Sequence, residues 1–445
     1  MPMKKSKFLA DDVAPGDVIS TLSKSILVDG FHIVVDLEKS KGSYMVDARN
    51  GKRYLDMYTY FSTLPIGHNH PKLRDKDFLR ELTAAALENP ANSDVYTEEY
   101  AGFVRTFNKY AKPAHMKHLF FIAGGALAVE NAIKASIDWK VRKNFSGGKK
   151  REIGKKVIHF KDAFHGRSGY TLSITNTSDT KIKYFPKFNW PRVLNPKLRF
   201  PVTDKVLADV KKAENKSLGQ IKAAIKRYPK DIACVMLEPI QGEGGDNHFR
   251  KEYMQAVEDV CIKNDILFCL DEVQTGFGST GKMWGFEHHG TKPDIIAFGK
   301  KAQVCGIMAS KRIEDVKDNV FHVSSRINST WGGNLVDMVR GRRYLEIIIE
   351  DNLVQNAARM GDYFVKRLWE LSEKHKCISN VRGKGCFIAF EMPSGKERDA
   401  LRMKCWKNGF AALSSWPTSI RFRPPLTISK SEIDEAIEKL DMSLR

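Results

Sequence analysis

The sequence predicts an α/β protein, with a large unit built on a mostly parallel sheet flanked by helices and a smaller α+β unit beside it. Three observations carry this reading. Between about residues 118 and 310, short apolar runs alternate with helical patterns, as in sheets whose strands are joined by crossover helices. Runs such as 232–237 are apolar throughout, which suits strands buried on both faces. Beyond residue 335 the pattern changes to two long helical stretches, a strand-like run and a last helix.

Taken in chain order, residues 44–47 and 51–56 read as hairpin-like pieces that pack with the C-terminal unit. Residues 118–122 form the first strand of the sheet. In the helix that follows, Val129, Ile133 and Ile137 share one face. Glu130 near its start and Lys140 and Arg142 near its end complement the helix dipole. Runs 157–160, 232–237, 266–270, 295–298 and 306–309 continue the sheet. Gly147-Gly148-Lys149-Lys150 and the lysine-rich 203–230 region read as surface loops or solvated helices. Residues 335–349 and 352–375 are long helices, 385–390 is a strand, and a final helix begins at Ser431. The expected division is an N-terminal segment (1–65) that packs with a small C-terminal domain (335–445), and a large domain between them (66–334).

Length and composition narrow the function. A chain of 445 residues is long enough for two or more domains and for a core that needs no metal or disulfide staple. The seven cysteines are odd in number and lack a C-x-x-C pair, which points to a reducing compartment, the cytoplasm. Residues 1–7 are basic but lead into no apolar segment of a secretory signal, and no run approaches the roughly 20 apolar residues of a membrane span. The net charge of +20 raises a nucleic-acid reading. However, the basic clusters lack the interleaved aromatics of a single-strand groove, and no zinc-finger or RNA-recognition spacing occurs. The basic residues read as a solvated surface or, alternatively, as a field that steers anionic substrates and cofactor phosphate inward, and the motifs do not explain them. The pairs His68/His70 and His288/His289 lack a third clustered ligand, so no metal site is expected.

The chemistry concentrates at the ends of the predicted strands. Run 267–270 leads into Asp271-Glu272-Val273-Gln274, and run 295–298 leads into Gly299-Lys300-Lys301. In open α/β sheets ligands sit at the carboxyl ends of strands. A lysine and a carboxylate delivered there suit pyridoxal 5′-phosphate, whose aldehyde forms an imine with the amine while the carboxylate keeps the ring nitrogen protonated. On an extended segment Lys300 and Lys301 point to opposite faces, so only one faces the cofactor. Gly124-Gly125-Ala126, before a helix, suits a phosphate at the positive helix end. Phe164-His165-Gly166-Arg167 offers a ring for stacking and a guanidinium for a carboxylate, with His165 equally readable as a structural histidine. Glu238 and Glu243 follow the apolar run 232–237, and Glu243 is placed to pair with an arginine. Asn328-Ser329-Thr330-Trp331-Gly332-Gly333-Asn334 is a hydroxyl- and glycine-rich loop suited to phosphate oxygens. Arg421-Phe422-Arg423-Pro424-Pro425 presents an arginine on a rigid strand. The run Gly276-Phe277-Gly278-Ser279-Thr280-Gly281-Lys282 imitates a dinucleotide fingerprint and a P-loop. Met283 stands where a P-loop needs a hydroxyl, and the preceding acidic pair would repel a pyrophosphate.

Together these segments resemble the class III (ω-amino-acid) aminotransferases of PLP fold-type I, from Gly67-His68-Asn69-His70-Pro71 through to the arginine–diproline strand. Within that class the wording is closest to members that act on the side-chain amine of L-lysine, notably at Asn92-Ser93-Asp94-Val95-Tyr96, Phe164 to Tyr170 and Lys300 to Gly306. The resemblance implies pyridoxal 5′-phosphate as cofactor, L-lysine as donor, 2-oxoglutarate as acceptor, and a homodimer with active sites at its interface. It assigns Lys300 to the cofactor aldehyde and to proton transfer, Asp271 to the ring nitrogen and Gln274 to the ring hydroxyl and substrate. Phe164 and Val273 take the two ring faces, with Glu238 also at the cofactor. Gly125 and Ala126 hold the phosphate, joined by Ser329 and Thr330 across the dimer interface. Arg167 takes the lysine carboxylate, Asn328 lines the substrate pocket, and Arg421 takes a carboxylate of 2-oxoglutarate while Glu243 gates it. Ser279 departs from the class, where many members carry arginine. The rival expectations are ornithine or another ω-amine as donor and, remotely, a nicotinamide-dependent lysine dehydrogenase.

Overall fold

The computed structural model describes residues 12–445. The basic stretch 1–7 lies outside the described residues. Seven strands lie side by side in the order Met116–Ile122, Cys305–Ser310, Ile295–Phe298, Leu267–Asp271, Ile232–Leu237, Lys156–Phe160 and Arg192–Val193. Only Cys305–Ser310 runs antiparallel to its neighbours. The six residues between Phe298 and Cys305 explain this, since a parallel crossover needs about a dozen or more.

Both faces of the sheet are buried, and the period of two decides which side chain enters which core. Val235 and Leu237, Phe268 and Leu270, and Ile296 and Phe298 enter one cluster with Phe103, Phe107 and Trp284. Their alternates Cys234, Met236, Cys269 and Ala297 enter the opposite cluster, under Val129, Ile133 and Trp139 of the helix Gly125–Ser146. The lysine-rich region is one helix, Asp204–Arg227, with Thr203 as its N-cap. Lys205, Lys211, Lys212, Lys216, Lys222 and Lys226 all lie exposed on it, so much of the positive charge is solvated. The two-residue edge strand Arg192–Val193 has no periodicity from which it was readable.

The smaller unit is an antiparallel sheet in the order Ser379–Lys384, Phe387–Glu391, Ser419–Phe422 and Leu413–Ser415. Phe364, Leu368 and Leu371 of helix Leu353–Lys374, with Ile433, Ile437 and Leu440 of helix Lys430–Leu444, cover its core. The N-terminal hairpin joins this unit: Arg53–Asp56 pairs antiparallel with Tyr44–Val46 and parallel with Phe410–Ala411.

Candidate active site

Five parallel strands deliver their carboxyl ends to one edge of the large sheet. Past Met116–Ile122 come Gly124 and Gly125, and past Lys156–Phe160 come Phe164 and His165. Glu238 follows Ile232–Leu237, Asp271 ends Leu267–Asp271, and Lys300 lies just past Ile295–Phe298. Strand register sets Asp271 opposite Ala297, so Lys300 emerges one short turn beyond the carboxylate. Both line a cavity of about 300 Å³ with Gly125, Ala126, Phe164, Glu238, Val273 and Gln274.

Lys300 does not extend the strand. It opens a tight turn at φ +51°, its carbonyl accepting from the Gln303 backbone N–H at 2.9 Å and side-chain amide at 3.2 Å. This corrects the expected reason for separating the two lysines. The turn, rather than strand alternation, aims Lys300 into the cavity while Lys301 is buried and donates to the Gln274 carbonyl at 2.8 Å. The Lys300 ammonium makes no ion pair or hydrogen bond among the described residues. Burial, with the Arg421 charge adding to it, lowers its pKa to about 8. An amine near neutrality is a competent nucleophile.

Asp271 is held on two sides. Its Oδ1 accepts from the Val273 N–H at 3.0 Å, and its Oδ2 lies 2.8 Å from His165 Nδ1. Burial works against the His165 charge, but the Asp271 carboxylate, with Glu238 beyond it, outweighs burial and raises its pKa. The alternative left open for His165 thus resolves to a residue that orients the carboxylate, although the two are 106 positions apart in sequence. Glu238 accepts from the Phe164 N–H at 3.1 Å and the Gly242 N–H at 2.9 Å, while burial pushes its pKa to about 7. Glu272, adjacent to Asp271, faces away: it accepts from Thr275, from the Gly285 N–H at 2.9 Å and from the Phe286 N–H at 2.7 Å.

The residues present fit pyridoxal 5′-phosphate. Helix Gly125–Ser146 begins at Gly124, with φ +99° and no side-chain cap, leaving its first N–H groups for an anion. Gly166 lets the 164–167 turn approach this helix end: a Cβ there would stand 2.5 Å from the Ala126 Cβ. A Cβ on Gly125 would meet the Val273 side chain at 3.0 Å. Groups suited to a phosphate, a ring nitrogen and an aldehyde therefore converge on a single cavity.

A second cavity, also about 300 Å³, shares Phe164, Arg167, Gln274 and Lys300 with the first and adds Phe61, Glu243 and Arg421. Arg167 makes no ion pair or hydrogen bond among the described residues. Arg421 Nη2 donates to Glu243 Oε2 at 2.7 Å, but its Nε and Nη1 are buried without a partner among the described residues. Three donor-bearing sites of one guanidinium against a single carboxylate oxygen leave capacity for another carboxylate. Burial opposes the Glu243 charge, yet Arg421 and Lys181 together hold its pKa below the usual value. Lys181 was not among the expected residues, because it reads as one more surface lysine.

Asn328 and Thr330 are exposed, Ser329 is half-buried, and none of the three lines either cavity within this chain. Their loop interlocks with the 92–96 loop: Asn92 Nδ2 donates to the Gly333 carbonyl at 2.7 Å and Ser93 Oγ to the Thr330 carbonyl at 3.1 Å.

The glycine run that imitates a dinucleotide fingerprint serves packing. Gly276 lies against the Trp284 ring, Gly278 against Leu426 and Val354, and Gly281 against Ala358. Turns and the short 3-10 helix Gly285–His288 follow, in place of the phosphate-binding helix a dinucleotide site requires. Among the described residues neither histidine pair singled out in the sequence joins a group of three potential ligands. His118, Glu314 and His322 do approach one another, within 4.8 Å, at the edge of the large sheet. Lys117 Nζ lies 3.0 Å from the same carboxylate.

The chain is similar to known proteins along nearly its whole length. The family model for Aminotransferase class-III matches residues 27–444. The L-lysine-epsilon aminotransferase of Mycobacterium tuberculosis is 48% identical over 432 residues, covering 97% of this chain and 96% of that protein. Its counterpart from Streptomyces clavuligerus is 45% identical, covering 96% of this chain and 94% of that protein. The solved lysine aminotransferase from M. tuberculosis superposes with a TM-score of 0.95 at 47% identity, covering 97% of this chain and 99% of that one.

Proposed function

Because the chain belongs to the class III aminotransferase family, we propose that it transfers the ε-amino group of L-lysine to 2-oxoglutarate. The products are 2-aminoadipate 6-semialdehyde, which cyclises to 1-piperideine 6-carboxylate, and L-glutamate. The relatives named for the lysine reaction, at 45–48% identity over nearly the whole chain, favour lysine over ornithine or another ω-amine as donor.

The observation that carries the reading is the shared wall between the two cavities. Lys300, Phe164, Gln274 and Arg167 face both the cofactor groups and the substrate space. Pyridoxal 5′-phosphate, the cofactor, supplies an aldehyde for the amine and a ring that draws off the electron pair left when the neighbouring carbon loses a proton. Gly125 and Ala126 would hold its phosphate, Phe164 and Val273 its ring faces, Asp271 its ring nitrogen, Gln274 its ring hydroxyl, and Lys300 its aldehyde. Glu238 supports the Phe164 turn through its bond to the Phe164 N–H.

The remaining steps belong to the chain. Arg167 grips the lysine carboxylate with a guanidinium that no other group engages among the described residues. Holding that end away from Lys300 presents the ε-amine rather than the α-amine for reaction. Lys300 Nζ takes the proton from the ε-carbon. In this half Glu243 stays on Arg421 and offsets its charge, so a monocarboxylate favours the unpaired Arg167. In the second half Glu243 swings away, and Arg421 receives a carboxylate of 2-oxoglutarate through the N–H groups that now lack partners.

The mouth of the site supports a homodimer. Val95, Tyr96 and Trp331 are exposed on the interlocked loops, where a partner surface would cover them. Asn328, Ser329 and Thr330, which line neither of the two cavities, would serve the partner's substrate and phosphate in such a dimer. Seven unpaired cysteines support a reducing, cytoplasmic setting. Among the described residues no helix is long and apolar enough to cross a membrane.

The test is product analysis with lysine and 2-oxoglutarate. The expected products are glutamate and a six-membered cyclic imine. Turnover of ornithine to its five-membered ring at higher kcat/KM than lysine would reject lysine as the donor.

A further inference from the structure

The Glu243–Arg421 pair has a third member that the reaction scheme leaves without a role. Lys181 lies on the short helix Asp179–Ile182 and lines the substrate cavity. Its ammonium donates to Glu243 Oε1, the oxygen that Arg421 leaves free, and stands 5.2 Å from the centre of the Phe164 ring. The Glu243 carboxylate is thus shared between two cations on different elements. Arg421 belongs to strand Ser419–Phe422 of the smaller unit, and Lys181 to the large one.

We propose that Lys181 is the open-state anchor of Glu243: it retains the carboxylate when Glu243 leaves Arg421, and so sets how readily the enzyme admits a dicarboxylate. The inference rests on the proposed lysine-to-2-oxoglutarate reaction and adds a residue to its substrate switch.

A contact shifts a two-state equilibrium only by the difference in its worth between the states. With Glu243 on Arg421, the carboxylate has two cationic partners, and loss of Lys181 leaves one. With Glu243 off Arg421, Lys181 is the cation already in contact, and its loss strands a charge in a partly desolvated cavity. Stranding a charged group is far more costly than thinning an already paired one. Removal of Lys181 therefore penalises the open state. The lysine half-reaction, which needs Arg421 covered, is spared. Lys181 is a positioning residue acting through Glu243.

In a ping-pong scheme kcat/KM for each substrate reports its own half-reaction, so the two are read separately in K181M, K181R and E243Q enzymes. Glutarate, a dicarboxylate without a reactive keto group, is titrated calorimetrically into the same cofactor-loaded proteins as a readout independent of turnover. For K181M the expected result is about a tenfold fall in kcat/KM for 2-oxoglutarate and a similar weakening of glutarate binding, the lower range for a charged hydrogen bond. kcat/KM for lysine should stay within about twofold, and K181R should restore most of the loss. In an E243Q background K181M should have no further effect, because the anchored charge is gone. Equal losses for both substrates, no loss, or an undiminished K181M effect in the E243Q background would each overturn the inference. If the unmodified enzyme fails to convert lysine and 2-oxoglutarate, the functional reading fails, and the glutarate titration still decides the role of Lys181.

Discussion

Replacement of Asp271 by asparagine isolates the charge opposite Lys300 from its shape. The amide fills the same volume, and its Oδ1 can still accept the Val273 N–H that Asp271 accepts at 3.0 Å. What disappears is the negative charge 2.8 Å from His165 Nδ1. That carboxylate is what outweighs burial at His165 and raises its pKa. Without it the buried imidazole is neutral and can accept from the new amide, so no orphaned charge remains and the thermal midpoint should move little. Catalysis is a different matter. A preorganised charge aimed at a reacting group is worth roughly 10²–10³ in rate, or about 3–4 kcal/mol. In the proposed reaction the same group serves both half-reactions, so D271N should lower kcat/KM for lysine and for 2-oxoglutarate by a similar factor in that range. Steady-state kinetics at several fixed concentrations of each substrate measures both. A loss below about tenfold, or one confined to a single substrate, would refute the role assigned to Asp271.

Three further outcomes are expected. The stripped protein should capture pyridoxal 5′-phosphate faster as pH rises, with a midpoint near the Lys300 value of about 8, because burial and then Arg421 disfavour the ammonium and only the neutral amine attacks; stopped-flow absorbance reads this, and R421M should move the midpoint upward. G166A should weaken cofactor retention by at least about tenfold, measured by dialysis, since φ is +126° and the added Cβ would press on Ala126 at 2.5 Å, pushing the 164–167 turn off the helix end. E272A should lower stability by about 2–3 kcal/mol in urea unfolding, because it orphans the buried Gly285 and Phe286 N–H groups, while the folded fraction keeps its kcat.

Much of the large unit was legible because its central strands are buried on both faces, so runs such as Ile232–Leu237 are apolar at every position. Asp271 and Lys300 were legible for the same reason: each is a charged residue at the end of an apolar run. Sequence could not separate Lys300 from Lys301 by the right mechanism, because the turn that divides them depends on Gly299 and Gln303 rather than on strand alternation. Nor could it rank Asp271 above Glu272, whose partners Gly285 and Phe286 become neighbours only when the 272–286 turns close. The glycines between them exist to let Trp284 and Ala358 approach the backbone, which a sequence pattern cannot tell from a phosphate loop. Lys181 was invisible for a simpler reason. Among Lys181, Lys183 and Lys187, only the fold singles out the one that reaches Glu243.

The most direct test asks which amine holds the aldehyde. The cofactor-loaded protein is reduced with borohydride, digested and mapped by mass spectrometry. A cofactor-derived label is expected on the peptide bearing Lys300 and should be absent from K300A. A label fixed on Lys301 or another lysine, or none at all, would contradict it.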